Sequence, residues 1–225
     1  MSELVKQIEA YARQVMDNVL SGDLGLAHNY AHVDRVRRWT VKIGQAEGFE
    51  ELEMVQTAAL LHDIGLAFAT ERGFHGEVGA EKTVEFLQTY KLFPEDQIQA
   101  ICEAIRCHTK VTGGGLLGAI LRDSDILDLL GAMGIMRCCI SQYSWQEYDP
   151  GQIKGDTWGI TSDEMTVRFQ AGIGVGKTIV DQLNFQISSY ENLQTTAAKE
   201  WGRPLVTYIQ TFLLQLEQEV QTSQN

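Results

Sequence analysis

Four of the five histidines in this chain fall with two aspartates into one ordered series: His32, the adjacent pair His62-Asp63, His75, His108 and Asp125. Imidazole nitrogens and carboxylate oxygens bind divalent cations, and a mixed nitrogen and oxygen set suits Fe, Mn, Co or Zn without sulfur. Helical geometry turns five of the six, all but His75, toward a core. Leu52, Val55 and Ala59 make an apolar stripe at i, i+3, i+7, and His62 and Asp63 continue along it, one to each side. Val33, Val36, Thr40 and Ile43 form an inner stripe with His32 at its edge, and Ile98, Ile101, Cys102 and Ile105 do the same for His108. Asp125 stands four residues after Leu121 and four before Leu129. An ionised carboxylate in a low-dielectric interior needs a cation or hydrogen-bond donors, so Asp63 and Asp125 call for one or two divalent metals.

The elements that must position these donors follow a helical period. A first helix spans residues 2 to about 20, and SGDLGLAHN breaks it with two glycines. A second runs from Asn29 to Glu47 with Gly48 as its cap, and a third from Glu50 into LLHDIG, where Gly65 ends it. A loop carrying Thr70 to Gly73 leads to a fourth helix from His75 to Tyr90. Pro94, followed by Glu95 and Asp96, opens a fifth that reaches His108. The glycine run Gly113 to Gly115 precedes a sixth, Leu116 to Tyr143. YSWQEYDPGQIKGDTWGITSDE reads as a long loop, and helix returns from Val175 to Gln218 with an interruption from Trp201 to Pro204. Short connections between helices predict an all-α bundle with additional C-terminal helices. Residues 1–143 would form the metal-binding helical domain, with 144–225 packed on the same domain.

Composition narrows the function further. A hydrophobic fraction of 44% with 21% charged residues is that of a soluble globular protein. No stretch approaches the roughly 18 apolar residues of a membrane span, and the N-terminal MSELVKQIEAYARQ has no signal-peptide core. Cys102, Cys107, Cys138 and Cys139 form no CxxC pair and read as reduced, mostly buried thiols, which predicts a cytoplasmic protein. A net charge of −12 argues against gripping nucleic acid, whose binding rests on Lys and Arg neutralising phosphates. Any phosphate bound here would be small and held locally by metal.

HVDRV around His32, AALLHDIG and DSDILDLLGAMGIMR together resemble the HD superfamily of metal-dependent phosphohydrolases, over roughly residues 26 to 140. The resemblance implies an HD-type helical domain with His32, His62, Asp63 and Asp125 as a mononuclear ligand set, extended by His75 and His108 to a binuclear one. FHGEVGAEKTVEFL and IRCHTKVTGGGLLGAILRDSD are similar to the HD enzymes that cleave symmetrical dinucleoside tetraphosphates. DSDILDLLGAMGIMR and ENLQTTAAKEWGRPL resemble small HD proteins that act on nucleoside triphosphates.

Such a centre implies hydrolysis of a phosphoester or phosphoanhydride bond of a small phosphorylated substrate, a nucleotide above all. Two metals (Fe, Mn, Co, Zn or Mg) about 4 Å apart would lower the pKa of a shared water and clamp phosphoryl oxygens. His32, His62, Asp63 and Asp125 would hold the first, and Asp63 would bridge to a second held by His75 and His108. Arg35, one turn beyond His32, Arg106 and Lys110 flanking His108, and Arg137 closing the DILD segment are candidates to steady phosphate charge. Glu71 and His28 are candidate proton shuttles, His28 sharing a helix face with His32. Asp123 and Asp128 read as helix-surface or supporting acids. The same six ligands also occur in HD-fold di-iron oxygenases, and a non-catalytic protein stapled by metal, with residues 144–225 recruiting a partner, fits them too. The C-terminal region could equally supply a homodimer face or a lid. AGIGVGKT at 171–178 follows the strand-like run MTVRFQ and fits a permissive P-loop, but only helical patterns surround it, so it reads as a glycine-rich turn entering a helix.

Overall fold

The computed structural model describes residues 2–19 and 27–223, and among them the chain is all-α. Ten α-helices follow in order among the described residues: α1 (Glu3–Val19), α2 (Tyr30–Ala46), α3 (Leu52–Leu61), α4 (His75–Thr89), α5 (Glu95–Cys107), α6 (Gly115–Asp128), α7 (Gly131–Ser141), α8 (Ser162–Gln170), α9 (Ile179–Ser189) and α10 (Thr196–Ser223). Among the described residues the only β pairing is two isolated bridges, Gln146 with Thr178 and Asp149 with Gln152. No helix among them is long and apolar enough to cross a membrane. The glycine break expected within residues 21–26 lies outside the described residues.

The contacts divide the chain into two compact units. The first comprises Met1–Asp125 with Gln194–Ala198, the second Ile126–Leu193 with Lys199–Asn225. The dividing line falls within α6.

In the first unit α4 packs on α5, α2 on α3, and α1 and α5 also on α3. The inner stripes meet there: Ile8 of α1, Ile43 of α2, Leu60 and Leu61 of α3, Leu87 of α4 and Ile101 and Ile105 of α5 are fully buried. Each such side chain contributes about 1.5–3 kcal/mol relative to leaving it in water. Asn29 starts α2, its side chain accepting from the His32 backbone N–H at 3.1 Å, which sets where His32 enters the helix. Gly48, at φ +72°, follows the helix end as expected.

The third helix stops earlier than expected, at Leu61, and the chain continues as a 3₁₀ turn, Ile64–Ala67. Gly65 serves a close approach there, not a helix end. A Cβ on it would lie 1.9 Å from the His75 carbonyl oxygen and 2.6 Å from the Gly79 nitrogen. The first turns of α4 therefore rest directly on the backbone that follows His62-Asp63, a contact only glycine permits.

The expected sixth helix is two. Gly131, at φ +67°, and the extended Leu130 separate α6 from α7, although the apolar period of LDLLGAMG runs through the break. The expected interruption from Trp201 to Pro204 is absent, and α10 continues through Pro204. The break lies instead just before Thr196, where the Asp123 carboxylate accepts from the backbone N–H groups of Gln194 (3.0 Å) and Thr195 (2.7 Å) and from the Thr195 hydroxyl (2.7 Å). Asp123 is fully buried, so it is neither a surface acid nor a ligand but a cap supplied from a distant part of the chain.

In the second unit, α9 packs on α7 and α8. The strand-like MTVRFQ belongs to α8, which Thr161 and Glu164 open with a reciprocal capping box. The AGIGVGKT turn is occupied from within. Asp181 Oδ2 accepts from the N–H groups of Lys177 (3.1 Å) and Thr178 (3.2 Å), where a P-loop would cradle phosphate. Asp128 is buried as well, its carboxylate 2.9 Å from Arg137 Nη1.

Candidate metal centre

Three of the series histidines use one local device. His62 and His108 cap the C-terminal ends of α3 and α5, and His75 follows the 3₁₀ turn Arg72–Phe74 at the start of α4. Each ring places Nδ1 on the carbonyl three residues back: His62 on Ala59 at 2.7 Å, His108 on Ile105 at 2.6 Å, His75 on Arg72 at 2.6 Å. The ends of helices and turns leave such carbonyls without intrahelical partners, and an imidazole N–H satisfies one. The bond fixes the tautomer, leaving Nε2 as the lone-pair nitrogen directed at the cluster.

Asp63, 2% exposed, sits at the junction, just before the 3₁₀ turn Ile64–Ala67. Its two oxygens face different partners. Oδ2 lies 3.3 Å from His62 Nε2 and 3.5 Å from His32 Nε2, while Oδ1 lies 3.7 Å from both His75 Nε2 and His108 Nε2. Asp125, from α6, reaches within 3.4 Å of His32 Nε2. His32, His62 and Asp125 form one group whose donor atoms lie within 4.8 Å of one another, and Asp63, His75 and His108 form another.

Two features show that this donor set fits a divalent cation. His62 Nε2 is buried without a hydrogen-bond partner. His75 Nε2 and His108 Nε2 stand 3.0 Å apart with both Nδ1 positions already on carbonyls. Two lone pairs so close require a cation or a proton between or beside them. Imidazole nitrogens and carboxylate oxygens gathered in this way suit a divalent cation without sulfur ligands.

Electrostatics agrees. Burial pushes the His62 imidazole toward the neutral form, but the Asp63 carboxylate, with Asp125 and the Ala59 carbonyl, outweighs it and lifts the pKa to about 9. Burial likewise works against an ionised Asp63, yet the neighbouring His62 and the hydrogen-bonded His28 hold it well below the usual carboxylate range. His75 is lowered by burial and by the neighbouring His108.

The structure gathers all six residues of the series, and His28 with them. His28 Nδ1 lies 2.8 Å from Asp63 Oδ2, and its Nε2 lies 2.8 Å from an Arg72 guanidinium nitrogen. Arg72 was not singled out from the sequence, although it stands three residues before His75. Glu71 is exposed beside it and is not among the gathered residues. Arg35, on α2, lines an open cavity of about 260 Å³ with Arg38, Trp39 and Lys42. Arg106 and Lys110 are exposed and paired with Glu103 at 2.5 Å and Glu77 at 3.0 Å. Arg137 is buried on Asp128, an arrangement that engages its cation in structure.

The chain overlaps solved structures along nearly its whole length. A Lactobacillus plantarum protein is 20% identical, with 99% of each chain covered and a TM-score of 0.73. An HD-superfamily hydrolase from Bacillus thuringiensis is 20% identical over 96% of this chain and 95% of its own, with a TM-score of 0.66. Bacillus subtilis YpgQ, in complex with ADP, is 19% identical over 96% and 95%, with a TM-score of 0.63. At these identities the likeness establishes the fold. No curated protein sequence is matched. The HD domain model matches residues 29–131, the stretch that contains all six residues of the His/Asp series, and this part of the chain is similar to HD domains.

Proposed function

We propose that this protein is a metal-dependent phosphohydrolase that cleaves a phosphoester or phosphoanhydride bond of a small nucleotide. The observation that carries this reading is the division of the Asp63 carboxylate, one oxygen toward His32 and His62 and the other toward His75 and His108. That is the disposition of a carboxylate shared by two cations. His32, His62 and Asp125 would complete one ligand set, and His75 and His108 the other. Metal held there supplies a water of lowered pKa and positive charge for phosphoryl oxygens.

The chain's own residues define the remaining roles. Nδ1–H bonds to carbonyls keep the imidazoles of His62, His75 and His108 in the tautomer that offers Nε2. Arg35 and Arg72 are the cations assigned to substrate phosphate, Arg35 one turn along α2 from His32 and Arg72 exposed on the turn before His75. Arg106 and Lys110, already paired on the surface, steer anions in an otherwise acidic chain. His28 has both ring nitrogens engaged and supports Asp63, which leaves Glu71 as the candidate proton donor to the leaving group. YpgQ, of the same fold, was crystallised with ADP, which favours a nucleotide among phosphorylated substrates.

The test is a phosphate and pyrophosphate release screen over mono-, di- and dinucleotides under anaerobic conditions, with added Mn²⁺, Fe²⁺, Co²⁺, Zn²⁺ or Mg²⁺. Turnover of at least one nucleotide, abolished by Asp63→Ala, is expected. No phosphate or pyrophosphate release from any nucleotide, together with oxygen uptake in a parallel aerobic assay, would replace this reading with an oxidative one.

A further inference from the structure

Arg72 touches both halves of the histidine cluster. Its main-chain carbonyl accepts the Nδ1–H of His75 at 2.6 Å, which aims His75 Nε2 toward Asp63 Oδ1. Its guanidinium lies 2.8 Å from His28 Nε2, and His28 Nδ1 lies 2.8 Å from Asp63 Oδ2. An arginine can only donate, so Nε2 must be the lone-pair nitrogen of His28 and Nδ1 must carry the hydrogen. That hydrogen then points at the carboxylate. With the opposite tautomer, Nε2–H would face the arginine and two lone pairs would face each other across Nδ1 and Oδ2.

From this geometry we infer that Arg72 is a positioning residue: its guanidinium locks His28 in the Nδ1–H tautomer, and His28 in turn sets the direction of the Asp63 carboxylate. The inference rests on the metal-centre reading above and adds to it the outer partner of the shared ligand. Asp63, His32, His62 and His108 are buried, whereas Arg72 is exposed on a short 3₁₀ turn. The orientation of a buried ligand is therefore governed from the surface, through one half-buried imidazole. Only part of the guanidinium is used on His28, so its other N–H groups remain available to an incoming phosphate.

The test uses the full chain labelled with ¹⁵N-histidine and loaded with Zn²⁺, a diamagnetic probe. The His28 ring signals are assigned by their loss in His28→Gln, and Zn²⁺ affinity is measured in parallel by competition with a chelator. Arg72→Met keeps the side-chain stem and the backbone carbonyl but removes the donors, while Arg72→Lys keeps one donor. The wild type is expected to show Nδ1–H at His28. Arg72→Met should lose that pattern and bind Zn²⁺ about tenfold more weakly, the lower end of what loss of an outer ligand partner costs. Arg72→Lys should restore both. An Arg72→Met chain that keeps the Nδ1–H pattern overturns the inference, whatever its affinity. So does one that loses the pattern without any change in affinity, because the tautomer would then have no bearing on Asp63. A wild type that binds no Zn²⁺ sinks the metal-centre reading itself, and this inference with it.

Discussion

His75 Nε2 and His108 Nε2 face each other at 3.0 Å, although both rings already place Nδ1 on a backbone carbonyl. Without a cation the cluster must hold protons where metal would sit, and His62, lifted to about 9 by Asp63 against the pull of burial, is where the shift is largest in that direction. Metal binding should therefore release protons. Affinity measured between pH 6 and 9 should rise with pH and level off near the upper end. A pH-independent affinity would contradict the assignment of His62 as a ligand.

The metal-free protein should show the opposite trend in stability. The His62 pKa is raised above its ordinary 6.5, so the stabilisation from the His62–Asp63 pair is full below about 6.5 and is lost as pH climbs through about 9. Asp63, shifted down from 3.8, contributes above that value and loses its contribution as pH falls below it. Chelator-treated protein should thus show a Tm that falls between pH 6.5 and 9, with the fall suppressed when metal replaces the proton. A Tm that rises across that window in chelator would refute the pairing.

Gly65→Ala should be among the most damaging single-methyl changes in the chain. The added carbon would meet backbone atoms of His75 and Gly79, which cannot rotate away. A loss of about 2 kcal/mol or more is expected, with weakened metal binding because His75 moves with α4. Gly73→Ala is the control: its Cβ would meet nothing within 4 Å, and a change within about 0.5 kcal/mol is expected. Chemical denaturation of both variants decides it.

Asp123→Ala should fray the start of α10 without touching metal stoichiometry. It removes the acceptor for two backbone N–H groups and one hydroxyl, and an unsatisfied buried group costs about 1–3 kcal/mol. Faster amide exchange at residues 194 and 195 in particular would register it.

Lys177→Ala should leave nucleotide turnover unchanged, since the AGIGVGKT turn already houses the Asp181 carboxylate. Asp181→Ala should lower Tm instead. Loss of turnover in Lys177→Ala, with the fold intact by circular dichroism, would revive the phosphate-binding reading.

How far the sequence exposed this molecule depended on the range of the forces involved. The stripes of α2, α3 and α5 were legible, with His32, His62, Asp63 and His108 along them, because a 3.6-residue period reports directly on which face is buried, while His75 entered through the ordered series of histidines and aspartates. The start of α8 was equally available in Thr161 and Glu164, a capping box overlooked beside the strand-like MTVRFQ. The break before Thr196 was not, since its cause is Asp123, more than seventy positions earlier, while the local breaker Pro204 is absorbed within α10. Asp123 and Asp128 read as either helix-surface or supporting acids for the same reason: their partners, Thr195 and Arg137, are specified only by the fold. Arg72 escaped notice because its bond to His28 crosses forty-four positions.

The central claim, two cations sharing Asp63, is tested most directly by counting metal per chain in protein reconstituted with one divalent ion and freed of excess. Two ions in the wild type, one in His108→Gln and none in Asp63→Ala are predicted. A single ion in the wild type, or two retained in Asp63→Ala, would contradict it.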